Sequence, residues 1–259
     1  MRLAMFKGNT MTKLLNLLLF CLINVSHSAW AAPDATNILQ ASDRARGGGL
    51  PGIEWEILLT SRDGERIGET QRLIVKATDE SSVAETQEPA RFKGSKLLQV
   101  ARSMWLTRPG LSKPIPISPR QRMSGQASNG DIAATNYAGD YDAQLDGSEM
   151  LDGEACHILA LTAKHKRTTY DRIRYWVSVK RSVGLKAEFY SVSGKLLKTA
   201  HFEYANTIAH DGRRTPFVSR MVIRDAPIDA ETTMEFSSVK VKKIAAAEFD
   251  RSEERRVGK

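Results

Sequence analysis

RFKGSKLLQVARSMWLTRPG, residues Arg91–Gly110, is the stretch that decides how this chain is read. Gly94-Ser95 interrupts it ahead of Lys96–Arg102, Ser103–Arg108 follows, and Pro109-Gly110 stops it. That is the pattern of two short strands joined by a tight link. Met104, Trp105 and Leu106 put a large apolar load on the second strand, which marks the hairpin for a buried surface.

Working outward, the same two-residue alternation recurs on both sides. Ile53–Thr60 sets Ile53, Trp55, Ile57 and Leu59 against Glu54, Glu56 and Thr60, a half-buried antiparallel strand. Asp63-Gly64 is a hairpin turn. Glu65–Lys76 returns with Ile67, Leu73 and Val75 in phase, interrupted by Glu69 and Gln71, and Val83–Phe92 is a weaker strand. Beyond the hairpin, strands resume from Ala143 onward and are expected at Ala155–Thr162, Tyr170–Val179, Leu185–Val192, Leu196–Tyr204, Thr215–Arg224 and Thr232–Val241, with turns at Ser193-Gly194 and Asp211-Gly212. Ahead of the strands, Ala35–Arg46 reads as an amphipathic helix ended by Gly47-Gly48-Gly49. Leu111–Asp142, with Pro114, Pro116 and Pro119 close behind Pro109 and then a run rich in Gly, Asn, Ala and Asp, reads as a long loop or lid with at most a short helical turn. The expected fold is mainly β: one curved antiparallel sheet of about ten or eleven strands, covered by one or two helices and the long loop.

The two ends differ from this body. Lys7 and Lys13 precede the apolar run Leu14–Val25, and Ala29-Trp30-Ala31 supplies a small-x-small cut site before Ala32. Residues 1–31 are therefore expected to be a cleaved secretory signal, with Met11 as a second possible start. The run is too short for a comfortable membrane span. Phe20 before Cys21 argues against lipidation, so the mature protein is expected free in the periplasm. Residues 32–250 then form one domain. The tail Arg251–Lys259, RSEERRVGK, looks like a translated sequencing adapter, which would place the native C-terminus elsewhere.

The ends also carry most of the formal charge of +8. Arg2, Lys7 and Lys13 supply three positive charges, the last nine residues a net two, and the body keeps +3. That balance does not argue for a nucleic-acid partner, and no nucleic-acid-binding motif supports one.

A glycine, then Lys96-Leu97-Leu98, then Trp105-Leu106-x-x-Pro109 and a basic, proline-studded loop resemble the outer-membrane lipoprotein-sorting family of LolA-like periplasmic carriers. The resemblance runs over roughly Ala35–Phe249. It implies a half-barrel whose apolar cleft takes acyl chains, a lipid or acylated protein as cargo, and an inner-membrane transporter and an outer-membrane acceptor as partners of a monomeric carrier. Strand phase offers Trp55, Ile57, Leu73, Val75, Leu98, Val100 and Trp105 as the lining, without separating cleft from solid core. The same fold also fits an envelope sensor or assembly protein that binds lipid or a membrane partner without transport.

A third reading, a lipid hydrolase, needs a catalytic constellation that the sequence does not display. His157, His165, His201 and His210 lack zinc spacing, and there is no nucleophile elbow or phosphate loop. Ser124-Gly125 and Ser128-Asn129-Gly130 read as turns. Asp140 and Asp142 lack a calcium-loop pattern. Arg172 and Arg174 read as a solvated stripe. Cys156, the sole cysteine after the signal, lies in an apolar strand and is expected to be buried and inert, without a disulfide. No catalytic residue, metal or cofactor is expected.

Overall fold

The computed structural model describes residues 33–133 and 136–250; the signal and tail assignments lie outside them. Helix α1 (Ala35–Asp43) is capped by Asp34, whose carboxylate accepts the Thr36 amide at 2.9 Å. It tightens into a 3-10 turn, Arg44–Arg46, and Gly47 ends it in the left-handed region at φ 97°. Eighteen strands follow among the described residues. They are β1 (Ile53–Asp63), β2 (Arg66–Ile67), β3 (Gln71–Ala77), β4 (Ser81–Glu88), β5 (Lys96–Val100), β6 (Ser103–Thr107), β7 (Ile115–Ile117), β8 (Arg122–Ser124) and β9 (Ala127–Ser128). After two single-turn helices, α2 (Asn129–Ile132) and α3 (Tyr137–Asp140), come β10 (Tyr141–Leu151), β11 (Glu154–Ala163), β12 (Arg172–Ser178), β13 (Gly184–Tyr190) and β14 (Leu196–Glu203). The series closes with β15 (Asn206–His210), β16 (Arg213–Phe217), β17 (Arg220–Asp225) and β18 (Ala230–Val241).

Fourteen of these strands form one open antiparallel sheet in the order β10-β11-β12-β13-β14-β17-β18-β1-β3-β4-β5-β6-β7, with β2 pairing β1. The long pairing of β1 with β18 joins the early and late halves of the chain. The fold is the expected one, with more strands than expected. Three of the extra strands, β7, β8 and β9, lie inside Leu111–Asp142, and β15 and β16 form a separate hairpin about Asp211-Gly212. The strand expected over Glu65–Lys76 breaks into β2 and β3 where Glu69 interrupts the apolar phase.

Alternation gives the sheet one strongly apolar face. Trp55, Ile57 and Leu59 of β1 stand opposite Leu73 and Val75 of β3, and Phe236 and Met234 of β18. These residues, with Tyr175, Phe189 and Phe202 from the far half, are buried in a single cluster that α1 also joins through Leu39. Cys156, Ile158 and Trp176 form a small second cluster on the opposite face. Cys156 is buried and its thiol is pushed up, chiefly by burial.

Leu111–Asp142 is not a free loop. Its middle runs across the apolar face as a strap, fastened by side-chain hydrogen bonds. Gln71 Nε2 donates to Ser124 Oγ at 3.0 Å, the Gln126 amide to Thr232 Oγ1 at 2.7 Å, and Asn129 Nδ2 to Ser118 O at 2.8 Å. Ser128 and Asp131 close a capping box on α2, and Asp131 also accepts from Tyr170 Oη at 2.8 Å. Ala127, Ile132 and Tyr137 of this segment are buried. Local hydrogen bonding, which has no periodic sequence signal, replaces the missing hydrophobic alternation.

Candidate functional site

Between the strap and strands β3–β7 lies a cleft of about 280 Å³. Leu97 and Leu106 line its floor, Ile117 and Met123 its strap side, and Phe92 and Arg108 its rim. Register fixes this floor: Val75 of β3 pairs with Ala84 of β4, Ala84 with Leu97 of β5, and Leu97 with Leu106 of β6. The floor is thus continuous with the apolar face. Arg108 and Arg91 lie near the ring of Phe92, at 5.7 and 4.8 Å from its centroid; Arg91 is paired with Glu69, and Arg108 puts positive charge at the entrance.

The residues expected to line the cleft fall into two groups. Trp55, Ile57, Leu73 and Val75 share the apolar face with Leu97, but they sit deeper, fully covered in the core. Leu98, Val100 and Trp105 belong to the other face, because each is one residue out of step with Leu97 or Leu106. Trp105 stands opposite Leu98, and Leu98 opposite Val83. Leu97, Leu106, Ile117 and Met123 take their place as lining. The motif KLL contains one cleft residue and one residue of the opposite face, side by side.

A second cleft of about 350 Å³ lies on the other flank of the strap, beside β14 and β17. Its walls include Lys198, Asp225, Arg120, Arg122 and Lys195, and Arg122 also lines the first cleft. Arg120 holds Asp171 with two bonds of 2.8 and 3.0 Å, and Arg122 reaches Asp225 at 2.6 Å. Lys198 is only 6% exposed. Its ammonium donates to Gln126 O and, at 2.8 Å, to Ser128 Oγ. Burial holds its pKa below the ordinary lysine value. Lys198 stands in phase with the core residues Ala200 and Phe202, which was the available sequence signal that it points inward.

Several of the residues weighed for chemistry have structural partners. Asp140 pairs with Arg102 at 3.0 Å and His165 at 3.2 Å, and Arg174 lies over Trp176 and reaches Asp146 at 3.2 Å. Ser128 begins α2 and accepts from Lys198. The site is therefore a pair of clefts divided by a strap, the first with an apolar floor and mixed walls that include Gln71, Thr86, Lys96 and Arg122, the second lined by six charged side chains.

Comparison with known proteins bears on this architecture. A family model described only as an uncharacterized protein matches residues 78–253. No curated protein sequence matches the chain. Among solved structures, a LolA superfamily protein from Nitrosomonas europaea is 31% identical, covers 86% of this chain and 100% of its own, and superposes with a TM-score of 0.76. An outer membrane lipoprotein-sorting protein domain from Vibrio parahaemolyticus (18% identity, 86% of this chain, 98% of its own, TM-score 0.72) shares the fold. So does a DUF1329 family protein from Desulfovibrio piger (24% identity, 85% of this chain, 98% of its own, TM-score 0.70). The shared fold and the sequence identity sustained over the whole of the Nitrosomonas protein agree, and the chain belongs to the LolA superfamily.

Proposed function

We propose that the protein is a periplasmic carrier that shelters an acyl chain of a lipid or lipoprotein in the apolar cleft, without catalysis. The observation that carries this reading is the cleft between the strap and β3–β7, with Leu97, Leu106, Ile117 and Met123 around it. Its volume of about 280 Å³ sits at the lower edge of ligand-pocket sizes. Each methylene withdrawn from water there contributes about 0.8 kcal/mol, so a modest length of chain suffices for useful affinity. The sequence-read export signal and the membership of the superfamily support action in the periplasm, as a monomer passing cargo from an inner-membrane transporter to an outer-membrane acceptor.

Adjacent residues of β6 test the reading, because they stand on opposite faces. Leu106→Glu puts a charge into the cleft and should abolish binding of a fluorescent fatty acid, while Trp105→Glu on the other face should leave it within about twofold. Loss of binding with Trp105→Glu alone, both variants being folded, would overturn the assignment of the cleft. A wild-type protein that binds no acyl probe would remove the carrier reading altogether.

A further inference from the structure

The charged cleft beside the strap, which Leu196, Leu197 and Pro227 also line, is built around a buried cation. Lys198 projects from the core-facing side of β14, and the oxygens that receive its hydrogen bonds, Gln126 O and Ser128 Oγ, are both neutral. Among the described residues no carboxylate forms an ion pair with it. Asp131 and Asp225 act favourably on the ammonium at longer range, but burial and the charge of Arg122 outweigh them, and an anion in the adjoining space would relieve that cost. Arg120, Arg122 and Lys195 share the cleft with Lys198, against Asp171 and Asp225, so the walls carry two more positive than negative charges. Arg120 and Arg122 are each paired with an aspartate, and their remaining guanidinium hydrogens can still meet phosphate oxygens. Asp225 adds a specific feature: one oxygen is taken by Arg122, while Oδ1 is buried without a donor. A hydroxyl beside the anion would satisfy it.

Arg122, on the strap that divides the two clefts, lines both. We infer that the charged cleft binds the phosphate of a hydroxyl-bearing amphiphile whose acyl chain occupies the apolar cleft. This rests on the carrier reading and narrows it to an anionic ligand. Lys198 supplies the buried charge, Arg120 and Arg122 the oxygen contacts, and Asp225 the acceptor for the hydroxyl. An uncharged lipid of equal chain length fills only half of the site.

Three probes separate the possibilities in titrations of the wild-type protein: lysophosphatidic acid, the monoacylglycerol with the same chain, and inorganic phosphate. The expected order is lysophosphatidic acid tightest, monoacylglycerol about tenfold weaker, and inorganic phosphate weaker still, with only the first and last sensitive to salt. Lys198→Met should erase the preference for the phosphorylated lipid while retaining monoacylglycerol binding. Should Lys198→Met fail to fold, Lys195→Gln, an exposed change at the cleft wall, should lower lysophosphatidic acid affinity a few-fold and leave monoacylglycerol unchanged. Equal affinity for the two lipids in the wild-type protein would overturn this inference and leave the carrier reading intact. Inorganic phosphate binding as tightly as lysophosphatidic acid would also overturn it, since the source would then be free phosphate. Binding of neither lipid would reject the carrier reading itself.

Discussion

Asp43, at the end of α1, offers a test in which two physical arguments predict opposite signs. Its carboxyl is buried, with Oδ2 accepting the Ala138 amide of the strap at 2.8 Å and Oδ1 without a donor. Arg46 lies nearby, its guanidinium over the rings of Tyr137 and Phe202. Burial raises the Asp43 pKa from 3.8 to about 7, and the Ala138 bond and the Arg46 charge offset this only in part. The folded protein thus holds its proton where the unfolded chain has lost it, so this group makes stability fall as pH rises from about 4 to about 7. At 1.36 kcal/mol per pKa unit the full effect is about 4 kcal/mol. Asp43→Asn keeps an acceptor for the Ala138 amide and removes the titration. Urea denaturation should show wild type and variant equally stable near pH 4, and the variant ahead by up to about 4 kcal/mol at pH 8. If Asp43 were instead a stabilising partner of Arg46, the variant would lose about 3–5 kcal/mol at pH 8. That result would refute the reasoning.

Two further expectations concern packing. Cys156 is fully buried, so it should resist a thiol reagent until denaturant is added; prompt labelling of the native protein would contradict its placement. An added Cβ at Gly184 would lie 1.8 Å from the hydroxyl of Tyr175, a fully buried ring, so Gly184→Ala should cost about 1–3 kcal/mol in urea unfolding, and an unchanged midpoint would show that the ring can shift.

Much of the sheet was legible because its strands obey a strict two-residue period. Ile53–Thr60 and the β12 segment announce a buried face in their alternation alone, and Asp63-Gly64, Ser193-Gly194 and Asp211-Gly212 mark turns by their need for left-handed backbone, seen at φ 57°, 80° and 72° for the three glycines. Strands were expected to resume from Ala143, but β10 could not be given bounds, because a polar, exposed strand such as Tyr141–Leu151 has no apolar alternation to detect. The strap was missed for a related reason: Asn129, Asp131 and Gln126 order it through individual hydrogen bonds.

The site divides along the same line. The sequence by itself determined that Trp55, Ile57, Leu73 and Val75 share a face, since every second residue of a strand must point the same way. It could not assign faces in Leu97-Leu98 or in Met104-Trp105-Leu106, where consecutive apolar residues fit either phase. Only pairing with β4, and through it with β3 and β1, decided that Leu97 and Leu106 look into the cleft and Leu98 and Trp105 away from it. The charged cleft is likewise a tertiary product. Lys198, Arg122 and Asp225 are far apart in the chain, and they meet because β14 pairs with β17 and the strap crosses both, an arrangement set by packing of the whole sheet rather than by any local pattern.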